Sequence, residues 1–201
     1  MKVSFTTACI GGLLLLTACS EAPKKTAEPE KPPEPVTGRY SLYQMYPRAR
    51  AWATDVQPLN CTNINLPEAA KSEPGKSLAW QCVFVSASLG RARRFTYSVI
   101  ESPGNVYKGV FQSTEERWSG QQKPFLLAAL KTDSDEVFAT ALKRGAAYAK
   151  KHPDMPVNFL LEVNNRFPNP TWRVIWGDSI TVSGFSIYVD ASSGEYLQTA
   201  H

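Results

Sequence analysis

The sequence predicts an α+β fold: two repeated units, each a helix followed by an antiparallel sheet of three to four strands, after a disordered tether. Three observations predict it. The first is the pair of periods in the chain, with apolar residues at helical spacing in 134–151 and alternation of Phe95, Tyr97 and Val99 against Thr96 and Ser98. The second is an internal echo. Phe95, Tyr97, Val99, Gly104 and Val106 stand 90 positions before Phe185, Ile187, Val189, Gly194 and Tyr196. The third is composition: of 201 residues, 43% are hydrophobic and 20% charged, enough to bury a core, but residues 20–38 hold five of the 15 prolines and no aromatic.

Four segments follow in order: 1–18, 19–38, 39–120 and 121–201. The first has one positive charge at Lys2 and a short apolar run ending Leu13-Leu14-Leu15-Leu16-Thr17-Ala18-Cys19. It is too short for a spanning helix, which needs roughly 20 apolar residues, and reads as an export signal. Residues 19–38 carry three Lys against four Glu, and their prolines favour extended, semi-rigid chain. They read as a spacer.

In the first unit, residues 41–54 read as a helix that Ser41 can cap and that Pro47 kinks or restarts. Residues 56–65 read as extended through Cys61, 67–77 as a loop, and 79–88 and 93–100 as strands joined by a turn at Leu89-Gly90-Arg91-Ala92. In the second unit Asp133 or Ser134 caps a helix over 134–151. Lys150 and Lys151 sit at the negative end of its dipole and Pro153 stops it. Strands at 156–163, 171–177 and 184–190 follow, then a turn at Ser192-Ser193-Gly194 and a short strand from Glu195 to Leu197. Trp80 matches Trp172, and Trp52 matches Tyr148, at slightly longer offsets.

Leu16-Thr17-Ala18-Cys19 resembles the bacterial lipobox. The resemblance implies that the Cys19 thiol takes a diacylglycerol and palmitate-type chains, and becomes the new N-terminus. Acyl chains contribute about 0.8 kcal/mol per buried methylene, so a multiply acylated Cys19 holds a membrane stably. Ser20, where an Asp would favour inner-membrane retention, implies the outer membrane, with the domain facing the periplasm. Cys9 leaves with the signal. In an exported, oxidising setting the remaining pair, Cys61 and Cys82, is expected to form a disulfide. With only His152 and His201 nearby in type, the two cysteines make a poor metal site, and no metal is expected.

The run Pro170-Thr171-Trp172-Arg173-Val174, followed by Val189-Asp190-Ala191-Ser192-Ser193-Gly194-Glu195-Tyr196-Leu197, resembles the end of a PepSY domain. The resemblance covers 134–197 best; in the first half Ile100-Glu101-Ser102-Pro103-Gly104 keeps only the turn. It implies tandem PepSY-like units in an exported bacterial lipoprotein, and a family that is usually non-catalytic and includes inhibitory parts of peptidase precursors. Asp190 is expected to accept backbone amides two or three residues on, and Gly194 to complete that turn.

Function classes narrow by elimination. The net charge of +4 is spread thinly, without the Lys/Arg stripe of a nucleic-acid binder. No Gly-x-Ser-x-Gly, His-Glu-x-x-His or glycine-rich phosphate loop occurs, so neither an enzyme nor a cofactor is expected. The clustered Asp133, Asp135 and Glu136 read as first-turn cap chemistry. Arg91, Arg93 and Arg94 on a hairpin and Trp118 in a connector are the candidate binding surface. The expected role is non-covalent binding of an envelope protein or peptide, extending to restraint of a peptidase. The alternative is a structural or assembly factor of the envelope. The partners expected are the membrane, through lipid, and that protein or peptide, with the chain a monomer or weak oligomer.

Overall fold

A computed structural model describes residues 33–67 and 73–200. The export signal, Cys19 and the tether up to residue 32 lie outside the described residues. Residues 33–200 belong to one compact unit.

The chain enters through a two-residue strand β1 (Val36–Thr37) and helix α1 (Gly38–Trp52). Strand β2 (Gln57–Ile64), the short β3 (Lys76–Ser77), β4 (Ala79–Ser86), β5 (Arg91–Ser98) and β6 (Gly109–Arg117) follow. A 3-10 turn at Leu127–Ala129 leads to helix α2 (Ser134–Lys151). Strands β7 (Val157–Glu162), β8 (Thr171–Trp176), β9 (Phe185–Asp190) and β10 (Tyr196–Ala200) complete the chain.

Eight strands form one sheet in the order β10-β9-β8-β7-β2-β4-β5-β6, with every pairing antiparallel. Each helix is followed by four of these strands. The leading strands, β2 and β7, pair with each other at the centre, so the chain runs outward to both edges. Both helices cover one face. A single register row across that face runs Phe95, Cys82, Cys61, Leu161, Trp172 and Val189, each with no exposed surface. The two halves therefore share one core rather than closing two.

Cys61 and Cys82 are directly opposite on β2 and β4, with Cα atoms 4.0 Å apart, and form the expected disulfide. It closes a loop of 21 residues' separation, worth about 3 kcal/mol if the gain is unfolded-chain entropy.

The helix N-termini meet over the middle of the sheet. The Gly38 amide donates to Ser134 Oγ at 2.8 Å, and Ser134 Oγ donates to the Gly75 carbonyl at 2.6 Å. Asp133 caps its own helix: its Oδ1 accepts from the Ser134 amide, and Glu136 returns the bond in a capping box. The same carboxylate accepts from Thr37 Oγ1 (2.7 Å) and from the Arg39 amide (2.9 Å) in the first turn of α1. Helix α1 has no side-chain cap of its own. One anion therefore satisfies the exposed amides, and offsets the partial positive charge, of two helix ends at once.

The structure corrects several expected boundaries. Val36 and Thr37, counted with the tether, pair with β3, and α1 begins at Gly38 rather than Ser41. Ser41 is no cap; its hydroxyl donates back to the Thr37 carbonyl. Pro47 does not interrupt α1, because it lies on the exposed side, where water can take the carbonyl bond it leaves free. The β4–β5 turn is at 87–90, with Arg91 already in β5. Strand β6 has no counterpart in the reading of the sequence, and Trp118 follows it directly, at the start of the connector.

Candidate functional site

The three candidate arginines do not form one patch. Arg93 shares the parity of Phe95 and faces the helix layer. Its guanidinium lies 5.1 Å from the Trp52 ring centre and bonds Glu115 Oε1 at 2.5 Å. The Trp52 indole donates to the same oxygen at 2.9 Å. This knot spends Arg93 on tying the end of α1 to β6 across β5. Arg91 lies on the same face two residues away, while Arg94 projects from the opposite face, beside Val83 in register. Alternation along a strand disperses a cluster that looks compact in the sequence.

Trp118 is half-buried. Its backbone amide donates to the Gly90 carbonyl at 3.1 Å, pinning the end of β6 to the β4–β5 turn, and its buried indole N–H finds no acceptor among the described residues. That geometry closes the strand.

Strand β6 itself carries the feature that the sequence did not disclose. It is a nine-residue strand paired only with β5 among the described residues, so its outer side offers main-chain donors and acceptors. Phe111 stands on the face away from the helices, opposite Thr96, and its ring packs 5.0 Å from that of Tyr107. Both rings are more than two-fifths exposed, at 44% and 46%. A register shift opposite Arg93–Phe95 re-aims the second half of the strand.

Among the described residues no helix covers the other face of the sheet. One row across it reads Phe111, Thr96, Gln81, Thr62, Leu160, Arg173, Tyr188 and Gln198, and the next Arg94, Val83, Asn60, Glu162, Thr171 and Asp190. These rows mix polar, cationic and apolar side chains. Arg173 donates to Ser186 Oγ (3.1 Å) and Ser183 Oγ (3.0 Å) and lies over the Tyr188 ring, which Phe167 also touches. Burial pushes the Glu162 carboxyl above its usual range, against the opposing pull of Arg173.

Asp190 accepts from the Ser192 (2.7 Å) and Ser193 (2.9 Å) amides, as its place in the turn implied, and from Asn169 Nδ2 (3.0 Å). Burial would raise its pKa, but these bonds outweigh burial and hold the carboxyl below the usual range. Gly194 follows at φ 75°, which lets its amide reach the Asp190 carbonyl. His152 lies at the C-terminus of α2 with its ring against Tyr148. Among the described residues no group of three His, Cys, Asp or Glu is placed to hold a metal ion, and no helix is long and apolar enough to cross a membrane.

No family model matches the chain, and no curated protein matches it. A solved structure does: a protein of Clostridium difficile 630 provisionally named a lipoprotein. It aligns with a TM-score of 0.52 at 12% identity, over 81% of this chain and 93% of that one. At that identity the likeness is one of fold, and it extends over nearly the whole of the solved protein.

Proposed function

We propose that the protein is a lipid-anchored, non-catalytic envelope protein that binds an extended segment of a protein partner along β6. The observation that carries the proposal is that edge: nine residues long, unpaired outward among the described residues, and flanked by the exposed Tyr107–Phe111 pair. A partner strand added there gains main-chain hydrogen bonds from the edge and side-chain contacts from the aromatic pair. The anchoring part rests on the Leu16–Cys19 motif, and the lipoprotein name of the structural neighbour agrees with it. Attachment to the outer membrane rests on Ser20 alone.

Two PepSY-like units are part of the same reading. Strand order mirrored about β2 and β7 supports duplication, and so do two tryptophans in equivalent roles. The Trp80 indole donates to the carbonyl of Val36, two residues before α1, and the Trp172 indole to that of Thr132, two residues before α2. Restraint of a peptidase is the form such binding would take if the bound strand came from a protease or its substrate.

The experiment is site-specific photocrosslinking in the envelope from Gln112 on β6, with Ala139 on the outer side of α2 as control. The expected result is one partner trapped from position 112 and not from 139, with capture reduced about tenfold or more by Phe111→Glu in a chain of unchanged Tm. Equal labelling from both positions, or capture indifferent to Phe111→Glu, overturns the proposal.

A further inference from the structure

We infer that the outer side of the two helices is a docking surface for a bilayer bearing anionic phospholipid. The inference rests on the proposed anchoring at Cys19 for its setting, but on separate residues for its substance.

The charge of this protein is gathered on its helices. Gly38–Trp52 contains three arginines and no acid, and Ser134–Lys151 contains four cations against Asp135 and Glu136. The helices thus carry a net +5, the whole chain only +4, and everything else a net −1. The two acids sit at the start of α2, where the helix dipole favours them. The C-terminal halves of both helices are left purely basic.

The fold turns this bias into a surface. The helix N-termini meet at the sheet centre, and the helices run towards opposite edges. Trp52 of α1 reaches Glu115 on β6, and Arg144 of α2 lies over Tyr196 on β10. Helices of 15 and 18 residues make a band of roughly 50 Å. Arg48, Arg50, Lys143, Arg144, Lys150 and Lys151 are all exposed along it, and none joins an ion pair among the described residues. Between the two basic ends stands Tyr43 on α1, nearly half exposed, whereas the equally exposed Tyr40 turns its ring to Tyr97 on β5. Tyrosine on a basic amphipathic helix suits the headgroup layer, where the ring meets apolar material and the hydroxyl meets water.

Helix α1, the first helix after Cys19 along the chain, starts at the middle of this band. Thirteen residues lie between Cys19 and Pro33, chain enough to reach about 40 Å. The helical side can therefore rest on the membrane while the chain is anchored there. With the helices down, the β6 edge and its exposed Tyr107–Phe111 pair remain open to a partner.

The test uses the mature chain from residue 19 with Cys19→Ser, so that no acyl chain contributes. It is sedimented with vesicles of phosphatidylcholine alone, or of phosphatidylcholine and phosphatidylglycerol. The expected result is binding to the anionic vesicles only, lost between about 0.1 and 1 M salt as the screening length falls from about 10 to 3 Å. Arg48→Gln, Lys143→Gln and Lys150→Gln touch exposed side chains and leave Tm unchanged, and each weakens binding roughly fivefold. Absence of binding, equal binding to both vesicles, or an unaffected triple variant overturns the inference. So does a dimer in vesicle-free solution that buries both helices, which would assign the surface to a second copy. Mass spectrometry of Cys19 in the native protein tests anchoring separately, so the two readings can fail independently.

Discussion

Replacing Asp133 with Ala tests whether one carboxylate joins the two helix ends. Asp133 is 9% exposed, and its carboxylate accepts from the Ser134 amide and hydroxyl, the Arg39 amide and Thr37 Oγ1, with Arg39 Nε beside it as an ion pair at 3.6 Å. Losing an N-cap costs about 1 kcal/mol. The two bonds to α1 are charge-assisted and partly buried, and removing their acceptor costs about another 1 kcal/mol each. The Arg39 side chain is about a third exposed, and its pair adds little. The sum is about 3 kcal/mol, a fall in Tm of roughly 6–12 °C for a domain of this size. Asp133→Asn keeps a capping oxygen but loses the charge, and is expected to cost about 1 kcal/mol. Urea denaturation of both variants measures the difference. If Asp133→Ala costs no more than Asp133→Asn, the carboxylate serves α2 alone and the account of the junction is wrong.

Three further predictions follow from neighbouring geometry. A Cβ at Gly38 would stand 2.6 Å from Trp172 Cη2 and 2.9 Å from Trp80 Cζ3, and both rings are held by indole hydrogen bonds, so Gly38→Ala should destabilise by about 2 kcal/mol. A gain in Tm, as helix propensity alone would give, refutes that reasoning. Replacing Cys61 and Cys82 together by Ala should lower stability by about 3 kcal/mol, read by denaturation of both forms under non-reducing conditions; an equal midpoint would show that the disulfide constrains nothing. Asp55 accepts from Ser86 Oγ (2.6 Å) and the Ser88 amide (2.8 Å), which hold its pKa at about 2, and Asp190 is lowered in the same direction. A carboxyl lowered in the folded state stabilises above its unfolded pKa. That contribution is lost as pH falls from about 4 through the folded value, so Tm should drop over this window and drop less in Asp55→Asn.

Features written in local residues were legible in the chain. Helix α2 announces itself through Asp133 and Glu136 at its start, apolar spacing within, and Lys150-Lys151 at its end, and it occupies 134–151 as expected. Strand β5, half-buried, shows its alternation, and the Asp190 turn is fixed by residues adjacent in sequence. Strand β6 was invisible because an edge strand has little to bury. Only Val110 packs on the core, Phe111 is exposed on the other face, and Gln112 to Arg117 are all polar. The candidate arginines failed as a cluster for the reason that hides any sheet surface: neighbours in sequence point to opposite faces.

Local residues specified helix α2, most of the strands, the disulfide partners and the Asp190 turn, because each depends on residues within a turn or strand or on a small inventory of cysteines. Tertiary structure decided what lies between them. It joined the two halves through β2 and β7 into one sheet, brought Asp133 to the start of a helix nearly a hundred residues earlier, and left β6 at an edge. Each of these depends on which surfaces meet over long separations. That choice belongs to the shared core, where burying Trp80 against Trp172 satisfies both halves together.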